Sequence, residues 1–433
     1  MPCLAEALRK ATEWSLPLPV VSLDVRSAFD QVGVEVLART LAARGASPQL
    51  VAAAVREHVH LTGTPSLAFA RGSPVALHRG LRQGGPRMPQ AWNHIVAEIL
   101  ADVMERWQGQ SPAVAWAPEW SGISILVWAD NFFLMTSSAC VAAERVGDLE
   151  RALSARGLDF SKESLKVLAN QAAGDEFDNL QLPQSRLAFT RVAELEALGV
   201  ALDATASTEC MLQHRLRAAR SVFCKVAPIL QNPFLPTEER VRIFYQTVAA
   251  SVLWGAGAWV PSIAVQERLS GQETRWLRRI LCGMKPDEQP WVPWLRNTKS
   301  RVHTIRTRCD QAAIWHRVLA AVHGWMGHAA RAGLRCPAWQ VLSWRDAPWW
   351  DQTQTHGHFG LAAGRWRHPR QNWVRGAEAA VAQYHGLSWS ISAVESREWW
   401  KKETRAFVLN GITRWGGPPQ VPRKVAATFS REP

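Results

Sequence analysis

Residues 123–136 read ISILVWADNFFLMT. Two apolar runs, 123–128 and 132–136, flank Ala129, Asp130 and Asn131. Short apolar runs rich in β-branched and aromatic residues, split by a polar turn, predict two paired strands. Asp130 then sits at a hairpin tip. A further run, PVVSLD at 19–24, predicts a buried strand that ends on Asp24. A carboxylate there is costly unless it meets a cation or hydrogen-bond donors. A single Asp at a strand end is usually a turn or cap residue. Two of them, from neighbouring strand ends, are the oxygen set that a pair of hard divalent cations requires.

Working outward, helical patterns cover 33–43 and 47–61, the second with Ser47 as N-cap and Pro48 at its first position. Residues 66–78 (SLAFARGSPVALH) predict a hairpin turning at Arg71-Gly72-Ser73-Pro74. A long helix is expected over 89–107, with Ile95, Ala97, Leu100, Val103 and Met104 on its apolar side, and an amphipathic helix over 138–156. Short strands are expected within 158–168 and 187–200. Alternating strands and helices over 18–200 predict an α/β or α+β body. From about 205 the pattern is mainly helical, over 207–231, 236–253, 262–282 and 300–330. Breaks are expected near 170–185, 205 and 284–290.

At 433 residues the chain is long enough for roughly two to four domains. Its 47% apolar and 20% charged content excludes a disordered tail or a small disulfide scaffold. The longest nearly apolar run, 248–260, falls short of the ~20 residues a membrane span needs, so no membrane is expected. The start, MPCLAEALRKATEW, carries Glu6 and Glu13 and lacks an apolar core, unlike a signal peptide. Seven scattered cysteines with no C-x-x-C fit free thiols in a reducing compartment. An intracellular protein, nuclear or cytoplasmic and not secreted, is expected. The net charge of +13 is unevenly spread: 18 Lys+Arg against 22 Asp+Glu over 1–205, but 32 against 15 over 206–433. A near-neutral body joined to an Arg-rich basic part suggests catalysis beside polyanion binding; an Arg-rich soluble surface is the alternative.

The surrounding words sharpen the acidic pair. SLDVRSAFDQV (22–32) resembles motif A of reverse transcriptases, those of non-LTR retrotransposons above all. GLRQGGPRMPQAWN (80–93) resembles motif B, and VWADNFFLM (127–135) resembles motif C, the YADD box. GLDFSKESLKVL (157–168) and ALGV (197–200) are similar to motif D and to the primer-grip hairpin, in the family's order. The resemblance covers about 18–200. It extends more loosely through 206–282 (HRLRAARSVF, VLWGAGAW, RWLRRIL) and most weakly to WMGHAARAG at 325–333. It implies an α+β fold: a right-hand polymerase palm with an antiparallel sheet over 1–205, a helical thumb or connection over 206–285, and a basic Trp-rich, mainly helical region over 286–433.

The implied function is an RNA-directed DNA polymerase using Mg²⁺ or Mn²⁺, an RNA template, a DNA primer and deoxynucleoside triphosphates. Asp24 and Asp130 match the metal ligands, helped by the Val25 carbonyl and by Asn131 as the fourth residue of the box. Phe29 matches the aromatic beside the sugar. Arg82, Gln83 and Gly84 match the turn that touches the incoming nucleotide. Arg215, Arg217, Arg220 and Lys225 on one helix, and Arg275, Arg278 and Arg279 on another, suit a groove that tracks phosphates.

The sequence also departs from the family. Trp128-Ala129-Asp130-Asn131 stands where the family has YADD, Gly85 and Met88 replace the motif B Asp and Ser, and Ser164 falls where motif D has Lys. Motif A lies about 20 residues from Met1, so a truncated, degenerate copy without the preceding fingers is expected. A non-catalytic RNA- or DNA-binding relic is the alternative, and a metal-dependent hydrolase a weaker one that lacks a base. His303, Cys309, His316, His323, His328 and Cys336 do not have finger spacing, so no zinc is expected. Cys309, His316 and His323 instead recur every seven residues, as on one helical face. Trp254 and Trp259 are expected in the core.

Overall fold

A computed structural model describes residues 1–13, 16–59, 61–64, 66–77, 79–81, 85, 87–108, 110, 124–281, 288–342, 378–386 and 389–410. Packing divides the chain into two compact units: Leu16–Leu195, and Met1–Ser15 with Glu196–Pro433.

The chain opens with helix α1 (Pro2–Glu13), which belongs to the second unit. The first unit then runs β1 (Val20–Asp24), α2 (Ala28–Gln31), α3 (Val34–Ala43) and α4 (Pro48–Val59). Four short strands follow: β2 (Leu61–Gly63), β3 (Ser66–Leu67), β4 (Ala70–Arg71) and β5 (Val75–Leu77). Next come α5 (Met88–Trp107), β6 (Ile125–Trp128), β7 (Asn131–Met135), α6 (Ala139–Ser154), β8 (Lys166–Leu168) and β9 (Thr190–Arg191).

Five of these strands form one sheet in the order β6-β7-β1-β8-β9, antiparallel except for β8–β9. Strand alternation sorts its residues. Val21, Leu23, Phe132 and Leu134 point into a core shared with Ile95, Val96 and Ile99 of α5 and Val146 and Leu149 of α6. Asp24 and its cross-strand partner Asn131 lie on the other face.

Two expectations in this unit are corrected. The 66–78 hairpin does not turn at 71–74. Its two ladders, Leu61↔Leu77 through Gly63↔Val75 and Ser66↔Arg71 with Leu67↔Ala70, both centre on Ala68-Phe69. Pairing register overrides local turn composition here, and Phe69 stands fully exposed. The apolar stripe of α5 is also rotated: Trp92, Ile95, Val96, Ile99, Val103 and Trp107 are buried, whereas Met104 is exposed.

The chain re-enters the second unit within β10 (Glu194–Ala197), which forms a hairpin with β11 (Val200–Asp203). Then come α7 (Thr208–Leu230), α8 (Thr237–Phe244), a π-helical turn Tyr245–Ala249, α9 (Ala250–Leu253) and α10 (Ile263–Leu281). The rest is α11 (Trp291–Arg308), α12 (Ile314–Ala332), α13 (Pro337–Leu342), α14 (Glu378–His385), α15 (Trp389–Glu395) and α16 (Arg397–Asn410). Ser207 caps α7 by accepting from the Cys210 N–H, as N-cap serines do. The predicted helix over 300–330 is in fact two. Asp310 takes φ 50° and Ala313 is extended, so the chain turns after α11. Cys309 is therefore on a different helix from His316 and His323. Trp259 is buried as expected, but Trp254 is exposed and donates from its indole to the Leu198 carbonyl at 2.7 Å. Among the described residues no helix is long and apolar enough to cross a membrane.

Candidate active site

Backbone pairing brings the two acidic strand ends together. Asp24 lies opposite Asn131 in the β1–β7 register, and Trp128 lies opposite Asn131 in β6–β7. The β6–β7 turn is only Ala129-Asp130, with Ala129 in the left-handed region at φ 52°. The Val25 N–H donates to the Asp130 carbonyl at 3.0 Å and locks the turn onto the end of β1. Asn131 donates from its amide to Asp130 Oδ1 at 3.1 Å. Trp128, on the adjacent edge, is exposed.

The Asp24 backbone is held from its other side. Its N–H donates to Ser164 Oγ at 2.9 Å, the Ser161 N–H donates to its carbonyl at 2.7 Å, and Ser164 Oγ donates to the Ser161 carbonyl at 2.8 Å. Ser164 stands where the resemblance has a lysine. It is the one positioning residue that sequence reasoning did not assign, and the mismatch at that position is the signal that marks it.

The Asp24 side chain has no such support. Its Oδ1 is buried and has no hydrogen-bond partner. Burial, and then the negative charge of Asp130, push the Asp24 carboxyl up to about 6. An orphaned carboxylate oxygen within electrostatic reach of a second carboxylate is an arrangement that a divalent cation relieves. Asp24, Asp130 and the Asn131 amide oxygen are hard oxygen donors of the kind Mg²⁺ and Mn²⁺ prefer. Among the described residues no three His, Cys, Asp or Glu side chains converge, so this donor set is two carboxylates plus neutral oxygens.

Phe29, on α2, packs its ring at 5.7 Å and 33° against Trp92 of α5, partly buried on the core. Its carbonyl accepts from the Leu81 N–H, and the Val32 carbonyl accepts from the Gly80 N–H at 2.9 Å. Gly80 takes φ +111°, and a Cβ there would sit 3.3 Å from the Asp30 backbone, so glycine is needed for this close approach. The motif A helix is thus tied to the start of the stretch resembling motif B. Arg82, Gln83 and Gly84 lie outside the described residues.

The basic residues of the second unit separate into two kinds. Arg217, Arg220, Lys225, Arg275 and Arg279 are exposed. Arg279 lies 5.2 Å over the Phe223 ring. Arg278 is half-buried over Trp294 and donates to Thr298 Oγ1 at 2.9 Å. Arg215 turns inward. It donates to the carbonyls of Gly199 (2.8 Å) and Ser251 (2.9 Å from Nε) and to Ser251 Oγ at 3.1 Å. It clamps the β10–β11 turn to α9 rather than facing a groove.

Residues 8–202 match the family model of reverse transcriptase (RNA-dependent DNA polymerase). This stretch is a reverse transcriptase domain. Its paired Asp24 and Asp130 strand ends, on an antiparallel palm-like sheet, are where the words resembling motifs A and C fall. No curated protein matches the chain. Solved structures that it resembles include telomerase from Candida albicans in complex with a TWJ fragment of telomeric RNA. That match has 10% identity and a TM-score of 0.41, over 70% of this chain and 54% of that one. Telomerase from Candida tropicalis in the corresponding complex matches at 9% identity and a TM-score of 0.34, over 75% of this chain and 49% of that one. Apo telomerase from Candida tropicalis, truncated from its C-terminal domain, matches at 11% and 0.33, over 47% and 38%. The chain spans about half the length of these structures, or less.

Proposed function

We propose that the reverse transcriptase domain catalyses RNA-templated DNA synthesis of the non-LTR retrotransposon type, with Asp24 and Asp130 as its metal ligands. The observation that carries this reading is the buried, unpartnered Asp24 Oδ1, on a carboxyl that feels the charge of Asp130. A carboxylate kept without a partner at a structural cost is a ligand site by its chemistry. Asn131 replaces one charge of the family's box with a neutral oxygen and orients Asp130 through its amide. The Val25 carbonyl completes the metal-side oxygens in this reading. Bound Mg²⁺ or Mn²⁺ supplies charge stabilisation at the attacking and leaving oxygens of phosphoryl transfer. Phe29 stands beside the sugar of the incoming deoxynucleotide, and Arg82, Gln83 and Gly84 contact that nucleotide. Residues 206–285 act as the thumb, in which the exposed Arg217, Arg220, Arg275 and Arg279 hold template–primer by its phosphates, salt-dependently and without sequence preference.

Primer extension on an RNA template with Mg²⁺ or Mn²⁺ tests this for the parent chain, Asn131→Asp and Asp24→Ala. The expected result is extension by the parent, more by Asn131→Asp, and none by Asp24→Ala. No extension by Asn131→Asp, in folded protein that still binds template–primer, overturns the polymerase reading.

A further inference from the structure

Helix α11 carries Arg296, Lys299, Arg301, Arg306 and Arg308 and no acidic residue. Only a narrow stripe of it, Trp294, Thr298, Val302 and Ile305, is buried. Its C-terminal end, the turn after it and the start of α12 form one wall of a cleft of about 590 Å³, and α16 forms the other. Arg306, Arg317, Lys401 and Arg405 line this cleft, against a single carboxylate, Asp310.

Lys401 pairs with the exposed Glu398 at 3.3 Å, but the arginine charge is not spent on carboxylates. Among the described residues no carboxylate forms an ion pair with Arg306, Arg317 or Arg405. Arg317 is held by the Ala312 carbonyl at 3.1 Å and Gln311 Oε1 at 2.7 Å, which fixes its guanidinium in place. Glu273 feels both Arg306 and Arg317, but it is buried, bonded to the Tyr245 hydroxyl and to the Ile314 N–H, and pushed by burial toward its neutral form. His316, which also lines the cleft, is held low by burial and by Arg306, so it adds no charge near neutral pH. Beside the polar Thr307, Gln311 and Thr404, the lining has an apolar strip that includes Ala320, Val408 and the exposed Leu409.

We infer that this cleft binds a single-stranded nucleic acid, with Arg306, Arg317, Lys401 and Arg405 on its phosphates and an unstacked base against Ala320, Val408 and Leu409. Cations fixed around an apolar wall suit a strand whose bases are free to leave the backbone line. A duplex presents phosphates alone and leaves the apolar wall unused. The inference lies outside the catalytic site and does not depend on polymerisation.

The test is fluorescence anisotropy on the full chain carrying Asp24→Ala, so that catalysis cannot contribute. The probes are a labelled single-stranded RNA, the same sequence as DNA, an RNA duplex and poly-glutamate of equal charge. The Asp24→Ala chain is expected to bind the single strands at least tenfold more tightly than poly-glutamate, while the duplex reads the separate thumb surface. Preference between the two sugars identifies which strand is the source. Arg306→Glu with Arg405→Glu should weaken binding at least tenfold and lower the slope of log affinity against log salt by about 1.4, at ~0.7 for each phosphate no longer neutralised. Leu409→Ser should weaken binding with the slope unchanged. Lys401→Glu, at an exposed position, repeats the charge effect should the double variant melt early. Unchanged single-strand affinity in the charge variants, an equal loss of duplex affinity in them, or equal binding of poly-glutamate overturns the inference. Loss of primer extension in Asp24→Ala leaves it intact.

Discussion

Two regions of the molecule each hold a charged side chain about half out of water, and they treat it in opposite ways. In the Leu16–Leu195 unit, Asp24 keeps a buried oxygen without a partner, beside a second carboxylate. In the other unit, Arg215 gives its guanidinium to the carbonyls of Gly199 and Ser251 and to the Ser251 hydroxyl. A satisfied buried charge holds structure together. An unsatisfied one costs stability and persists where something outside the chain is to be bound. The same contrast separates residues that looked alike in sequence. Arg215, Arg217 and Arg220 share a helix, yet only the last two face outward.

The comparison breaks most directly at Asp24. Asp24→Ala should lower metal-dependent primer extension on the order of a thousandfold, as loss of a metal ligand removes several kcal/mol of transition-state stabilisation. Its melting temperature should not fall, because the substitution removes an unpaired group. A melting temperature well below the parent's would show that Asp24 is structural.

Arg215→Met should behave in the opposite sense. It leaves two carbonyls without their charged donor and should cost about 2–3 kcal/mol in chemical denaturation. The salt slope of nucleic-acid binding should stay where it was. A reduced slope would return Arg215 to the phosphate-binding set.

The raised Asp24 carboxyl gives a pH test. Its folded value of about 6 lies above the ordinary carboxylate range, so between about pH 4 and 6 the folded state holds a proton that the unfolded state has lost. Metal-free protein therefore loses stability as pH rises through that window, and Asp24→Asn should flatten the trend. Mn²⁺ must displace the same proton, so its affinity should be about tenfold weaker at pH 5 than at pH 7. An affinity flat with pH would remove Asp24 from the metal site.

The smallest effect is expected at Ser164. Ser164→Ala deletes the acceptor for the Asp24 N–H and should cost about 1 kcal/mol. Extension should fall several-fold through misplacement of Asp24, with Mn²⁺ affinity reduced in step. Extension lost with Mn²⁺ affinity unchanged would point to a role for the hydroxyl other than positioning.

Much of the site was legible in the residues. Apolar runs ending on Asp24 and Asp130 identified two strand ends, because a buried strand is written in consecutive β-branched and aromatic residues. The helix start at Ser47 followed from capping chemistry, and its hydroxyl accepts from the Leu50 N–H. Local chemistry misled where long-range pairing decides. Gly72-Ser73-Pro74 has the composition of a turn, but the ladders centre on Ala68-Phe69. The seven-residue spacing of Cys309, His316 and His323 looked like one face, yet the chain breaks at Asp310. His323 instead meets His385, sixty-two residues on, at 2.9 Å. Trp254 lay in an apolar run and still emerged at the surface, where its indole caps the Leu198 turn.

The sequence by itself determined which residues can do chemistry: two aspartates at strand ends, an aromatic within the stretch resembling motif A, and an excess of arginine after residue 205. Side-chain type and short periodicity are local properties, and a sequence carries them openly. Only the tertiary structure decided which charges are spent. That Asp24 is orphaned, that Ser164 supports it, that Arg215 turns inward and that Arg306, Arg317, Lys401 and Arg405 line one cleft all depend on contacts between residues tens to more than a hundred positions apart. Whether a buried charge costs or contributes energy is set by what lies within hydrogen-bond reach, and in a folded chain that is a matter of packing rather than order.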